Sequence, residues 1–83
     1  MITLSIKFHA NKVNRYPKLR IFVDQDQMEE VELSSNNQTI SFPIDLEDGE
    51  HLLEIEHYGK TSYDTISTES GIIIDDTYFR IEE

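Results

Sequence analysis

Gly49-Glu50-His51-Leu52-Leu53-Glu54-Ile55-Glu56-His57-Tyr58 places His51, Leu53, Ile55 and His57 on one side of an extended chain, and Leu52, Glu54, Glu56 and Tyr58 on the other. A period of two is the signature of a half-buried strand. A second strand-like run follows at Gly71-Ile72-Ile73-Ile74-Asp75-Asp76-Thr77-Tyr78-Phe79-Arg80-Ile81. Its phase breaks in the middle: Ile72 and Ile74 suit one face, Phe79 and Ile81 the other. A bulge at Asp75-Asp76 would reconcile the halves. Between the two runs lies a polar connection of about fifteen residues, Tyr58 to Gly71, which predicts a loop long enough to be functional. It carries Lys60, Tyr63, Asp64 and Glu69.

The pattern repeats toward the N-terminus. Ile2, Leu4, Ile6, Phe8 and Ala10 alternate with Thr3, Ser5, Lys7 and His9, which predicts a strand with His9 on its wet face. Asn11 to Pro17 carries turn chemistry, and Pro17 pushes Tyr16 toward extended geometry. Leu19, Ile21 and Val23 mark a second strand. Asp24-Gln25-Asp26-Gln27 reads as an Asx-type turn, with a pair of cation-binding carboxylates as the less favoured reading. Val31 and Leu33 point inward from a third strand, before a turn at Ser35-Asn36-Asn37-Gln38.

Ile40, Phe42, Ile44 and Leu46 form the cleanest alternation. Pro43 lacks an N–H, so its strand belongs at a sheet edge or turns that side to solvent. Glu47-Asp48-Gly49 predicts a hairpin joining this strand to the next. His51 and His57 lie roughly 20 Å apart along one strand and cannot share a metal; each is expected to make a local hydrogen bond. No window has helical periodicity and no segment repeats. Six to eight strands with turn signals every 8–12 residues or so predict one domain, an all-β antiparallel β-sandwich of jelly-roll-like order. Its expected core is Leu4, Ile6, Phe8, Leu19, Ile21, Val23, Val31, Leu33, Ile40, Phe42, Ile44, Leu46, Leu53, Ile55, Phe79 and Ile81.

Composition narrows the function. The chain has 83 residues, no cysteine, and 17 acidic against 7 basic side chains, for a net charge of −10. That balance opposes binding to a nucleic-acid backbone. It leaves a solvated surface, a carboxylate cation site, or a partner with a basic face. No run approaches the roughly 18 apolar residues of a membrane span, and no signal peptide is read. Nucleophile elbows, zinc-protease motifs and phosphate-cradling glycine loops are missing, so catalysis is not expected.

From Leu19 onward the order of features resembles the small calcium-dependent xylan-binding carbohydrate-binding modules. The matching residues are Val23-Asp24, Gly49-Glu50-His51, Leu53, Ile55, the segment from Lys60 to Asp64, and Ile73-Ile74-Asp75-Asp76. The chain has Ser70-Gly71-Ile72-Ile73 where those modules show an Asp-Arg-Asn-Leu-like run, and Gly59-Lys60 where they often show Asn-Asp. It also resembles short proteins of tailed bacteriophages, through its Gly-x-His strand, Lys60, Asp64-Thr65 and Ile73 to Asp76.

These resemblances imply a non-catalytic recognition module of phage origin, with glycan as ligand. Tyr58, Lys60, Tyr63, Asp64 and Tyr78 would contact the sugar, and Asp64, Asp75 and Asp76 would hold Ca²⁺. Taken one by one, the tyrosines read first as ordinary sandwich packing with the hydroxyl at the surface, and sugar contact is the less favoured reading of each. Two other readings stand beside this one: a capsid or tail decoration protein acting within a larger viral assembly, and an acidic inhibitor of a host nucleic-acid-binding protein. The expected location is the virion or the host cytoplasm.

Overall fold

The structure is a computed structural model that describes residues 2–11, 14–74 and 76–82. Eight strands follow one another: β1 (Ile2–Ala10), β2 (Lys18–Val23), β3 (Asp26–Glu32), β4 (Asn37–Ile44), β5 (Gly49–His57), β6 (Lys60–Glu69), β7 (Ile72–Ile73) and β8 (Thr77–Ile81). They form a three-stranded sheet of order β4-β1-β8 and a five-stranded sheet of order β3-β2-β5-β6-β7. The fold is the all-β sandwich that the alternation predicts. All neighbours pair antiparallel except β1 and β8, which run parallel, with Ile6 opposite Thr77 and Ala10 opposite Ile81.

Alternation accounts for the layering. Leu4, Ile6 and Phe8 of β1, Leu19, Ile21 and Val23 of β2, Phe42 and Ile44 of β4, Leu53 and Ile55 of β5, and Phe79 and Ile81 of β8 are all buried between the sheets. Val31, Ile40 and Leu46 pack at the rim of this core. Phe8 and Phe79, opposite one another across the parallel pair, stack with centroids 6.0 Å apart. Met28 stands as the extra residue where the β2–β3 register shifts: Ile21 faces Glu29 and Phe22 faces Gln27.

Three hairpins in the five-stranded sheet use the same device. Asp24-Gln25 (φ 51° and 73°), Tyr58-Gly59 (49° and 74°) and Ser70-Gly71 (53° and 78°) each fill a two-residue turn with both residues left-handed. That is the type I′ turn, whose twist matches the flanking strands. Glycine relieves the second position in two of them.

Four expectations are corrected. The predicted long loop from Tyr58 to Gly71 is the tight Tyr58-Gly59 turn followed by the ten-residue strand β6, paired along its length with β5. Ile66 of β6 is fully buried and belongs to the core. The last predicted strand is two strands in different sheets, because the chain crosses between layers after Ile73; Asp75, on which the expected bulge depends, lies outside the described residues. Glu47-Asp48-Gly49 closes no hairpin: β4 pairs with β1, and the turn carries the chain across to β5 in the other sheet. The Asn11 to Pro17 turn is described apart from residues 12 and 13.

Pro43 lies where its chemistry requires. The Ala10 N–H donates to the Asn36 carbonyl at 2.8 Å, in line with the β1–β4 register. Hydrogen-bonded pairs in an antiparallel ladder recur every second residue. Gln38, Ile40, Phe42 and Ile44 therefore bond to β1, while the backbone groups of Asn37, Thr39, Ser41 and Pro43 face away. The missing N–H of Pro43 costs the sheet nothing, because it points off the open edge.

Candidate recognition surface

The two outer faces of the sandwich differ in chemistry. On the five-stranded sheet, Glu30, Glu32, Glu50, Glu54 and Glu56 share the outer face with Lys18 and Arg20. Lys18 Nζ lies 2.8 Å from Glu30, and the Arg20 guanidinium reaches Glu30 at 3.7 Å and Glu56 at 3.5 Å. The hydrogen bond between Lys18 and Glu30 raises the lysine pKa and lowers that of the carboxyl. These are exposed pairs, and exposed pairs contribute little to stability.

The three-stranded sheet presents hydroxyls, amides and cations instead. Register aligns Tyr78, Lys7 and Thr39 in one cross-strand row and Arg80, His9 and Asn37 in the next. Ser5 and Ser41 hydroxyls meet at 2.8 Å, and His9 Nδ1 lies 2.8 Å from Asn37 Oδ1. No carboxylate occupies these ladder positions. A depression of about 230 Å³ opens beside the Tyr78 row, lined by Lys7, Phe8, Asn37, Gln38, Thr39 and Tyr78. A second one, of about 190 Å³, opens where β8 stops short of the start of β1 and is lined by Thr3, Ser5, Lys7, Ile73, Asp76 and Thr77. Lys7 is common to both.

The predicted site residues do not converge. Tyr58 occupies the β5–β6 turn, where its hydroxyl donates to the Arg15 carbonyl and its ring meets His57 edge-on, centroids 6.2 Å apart. That is the packing role. Lys60 opens β6 opposite His57. Tyr63 stands 64% exposed on the five-stranded face opposite Glu54. Asp64 sits opposite Leu53 and accepts from the Thr65 N–H at 2.8 Å. Tyr78 stands 53% exposed on the other face of the sandwich. Of the metal set, Asp76 lines the second depression, Asp64 lies on β6, and Asp75 is outside the described residues. Among the described residues, no three His, Asp or Glu side chains are grouped as a cation would need.

The Asp24 to Gln27 turn also resolves. Asp24 turns its carboxylate back into the sheet, where His51 Nδ1 lies 2.6 Å from Oδ2 and the Leu52 N–H donates to Oδ1 at 3.0 Å. Both histidines of β5 make the local hydrogen bonds expected of them, His57 through Nε2 to Ser62 Oγ at 3.0 Å. Lys7, Asn37, Gln38 and Thr39 were not picked out as site residues from the sequence. Their alternation with core residues assigns most of them to a wet face, but only the long-range β1–β4 and β1–β8 pairings together align Lys7 and Thr39 with Tyr78. Comparison with protein-family models, with curated proteins and with solved structures returns no match for this chain.

Proposed function

We propose that the chain is a non-catalytic recognition module that binds a glycan on the outer face of the three-stranded sheet. The observation that supports this reading is the row of Tyr78, Lys7 and Thr39 beside a depression that Asn37 also lines. A sugar ring offers an apolar C–H face and a rim of hydroxyls. An exposed aromatic serves the first, and amides, hydroxyls and an ammonium serve the second. Tyr78 remains in the binding set and Lys7, Asn37 and Thr39 join it; the Gln38 side chain lies on the opposite face of β4, where its Oε1 accepts from the Ser34 N–H at 2.8 Å. Tyr58 leaves it, its hydroxyl being engaged by Arg15. Calcium assistance would draw on Asp76, which rims the adjoining depression.

The test is titration of isotope-labelled protein with soluble oligosaccharides, xylo-oligosaccharides first, with chelator and then with Ca²⁺. The expected result is amide shifts at Lys7, Asn37, Thr39 and Tyr78 that vanish in Tyr78→Ala. Shifts confined to the Tyr63 face, or no binding in either condition, would overturn the reading. A second reading, a structural or decoration component of a phage particle, draws support from the open and uncharged edge of β4. Its presence or absence in purified particles, by mass spectrometry, decides that one.

A further inference from the structure

We infer that two copies of this chain associate through their β4 strands, antiparallel across a two-fold axis at Ile40, to make one continuous six-stranded sheet. This goes beyond the glycan reading and does not depend on it.

An open strand edge carries unpaired donors and acceptors, and proteins usually blunt it with charge, proline or cover. The edge at β3 is blunted by charge: Asp26, Glu29, Glu30 and Glu32 all lie within it. The edge at β7 is only two residues long, and the edge at β8 is five residues long and carries Arg80. β4 is different. Asn37-Gln38-Thr39-Ile40-Ser41-Phe42-Pro43-Ile44 contains no charged residue, and no described strand pairs with its outer side. On a chain of net charge −10, self-association on most surfaces is opposed by repulsion. This edge adds no like-charge contact of its own to that repulsion.

The backbone selects a register. Asn37, Thr39, Ser41 and Pro43 face the open edge, as shown above. Two features depart from a plain ladder: Pro43 has no N–H to donate, and the Asn37 carbonyl already accepts the Ser35 hydroxyl at 2.7 Å. With the two-fold axis at Ile40, Thr39 of one copy opposes Ser41 of the other, and Asn37 opposes Pro43. The position without a donor then meets the acceptor that needs none. The Asn37 N–H still finds the Pro43 carbonyl, and Thr39 and Ser41 exchange both their bonds. Sliding the axis to Thr39 would instead aim the Ser41 N–H at the capped Asn37 carbonyl and leave Pro43 beyond the ladder.

Side chains agree with the backbone. Ile40, half-buried at the rim of the core, would meet its own copy on the axis. On the outer face Thr39 and Ser41 hydroxyls would pair across strands, a contact that favours sheet formation. The interface is isologous, so it closes at two copies.

The experiment is sedimentation equilibrium of the full chain over a concentration series, with three variants. The wild type is expected to approach twice 9.7 kDa. Ser41→Pro removes an N–H that faces the open edge and none that bonds to β1, so it should yield a monomer with unchanged circular dichroism. Thr39→Glu, which places a carboxylate across from Lys7 within the sheet, should do the same and stands in if Ser41→Pro fails to fold. Ile40→Cys provides the only thiol in the chain and should give a disulfide-linked dimer on oxidation, since Cα atoms of a non-hydrogen-bonded pair are about 4.5 Å apart. A wild type that stays at 9.7 kDa at its highest soluble concentration overturns the inference. So does a dimer that survives both Ser41→Pro and Thr39→Glu, or one that Ile40→Cys fails to cross-link.

Discussion

His51 is held against Asp24 at 2.6 Å through Nδ1, while its Nε2 lies 2.7 Å from the Glu47 carbonyl oxygen. Both ring nitrogens face acceptors. A neutral imidazole has one N–H, so only the imidazolium satisfies both partners. The hydrogen bond to the Glu47 carbonyl and the one to Asp24 raise the His51 pKa, and the His51 bond lowers that of Asp24. The pair ties the β2–β3 turn to β5 and to the crossover that enters β5.

The first prediction concerns pH. His51, with its raised pKa, contributes fully below the unfolded value of about 6.5 and loses its contribution as pH rises through the folded value. Asp24, with its lowered pKa, contributes fully above about 3.9 and loses its contribution as pH falls through the folded value. The pair is therefore strongest between those two limits. Asp24 is half exposed, so solvent screening discounts the effect: His51→Gln should cost about 1 kcal/mol at pH 5, and less at pH 8. Thermal melts across pH, wild type against variant, check this. A cost that grows with pH would contradict it.

His57, on the same face of the same strand, should respond to acid with the opposite sign. It is buried, and that burial, with Lys60 nearby, lowers its pKa. Its Nδ1 has no hydrogen-bond partner among the described residues. Its contribution is present above about pH 6.5 and lost as pH falls through the folded value. His57→Leu should keep neutral-pH stability within about 1 kcal/mol and flatten the acid limb of the stability profile. An unchanged acid limb would count against a neutral buried His57.

Ile66 tests the strand that replaces the expected loop. It is fully buried, as are Leu53 and Ile55 of the neighbouring strand β5. Ile66→Ala should cost about 2–5 kcal/mol, as core truncations do. Denaturant unfolding measures it. A cost near zero would mean that the segment is not packed as a strand.

Tyr58 and Tyr78 should separate stability from binding. Tyr58→Phe removes the hydrogen bond to Arg15 and should cost about 1 kcal/mol while leaving glycan titrations unchanged. Tyr78→Ala sits on an exposed face, should change stability by no more than about 0.5 kcal/mol, and should abolish binding. Melts and titrations on both variants give the four values required.

Much of the sandwich is legible in the sequence because burial on one side of a strand writes a period of two. β1, β2, β4 and β5 show it, and Pro43 marks its own edge. β6 is hidden because only Ile66 and Thr68 of its ten residues are buried, so a polar strand looks like a loop. Its content of Thr61, Tyr63, Thr65, Ile66 and Thr68 was the available signal, since such residues favour extended chain. Asp48-Gly49 misleads for another reason: a turn sequence sets local geometry and does not say which sheet the next strand joins. The candidate surface was least legible of all. Lys7, Thr39 and Tyr78 become neighbours only through pairings between distant strands, one of them parallel.

Those pairings also set the order in which the molecule can assemble. β1 has no neighbour close in sequence: its partners are β4, with paired residues from Ile2 and Ile44 to His9 and Asn37, and β8, some seventy residues on. The β2–β3 and β5–β6 hairpins close over two residues and can form early. The three-stranded sheet cannot be completed until Thr77 to Ile81 is available to dock beside β1. Loop-closure entropy must be met before that contact returns anything, which places this small domain among slow-folding topologies. Until then the first strand waits with one side unpaired. On a ribosome, this chain would reach its native core only after its last strand emerged.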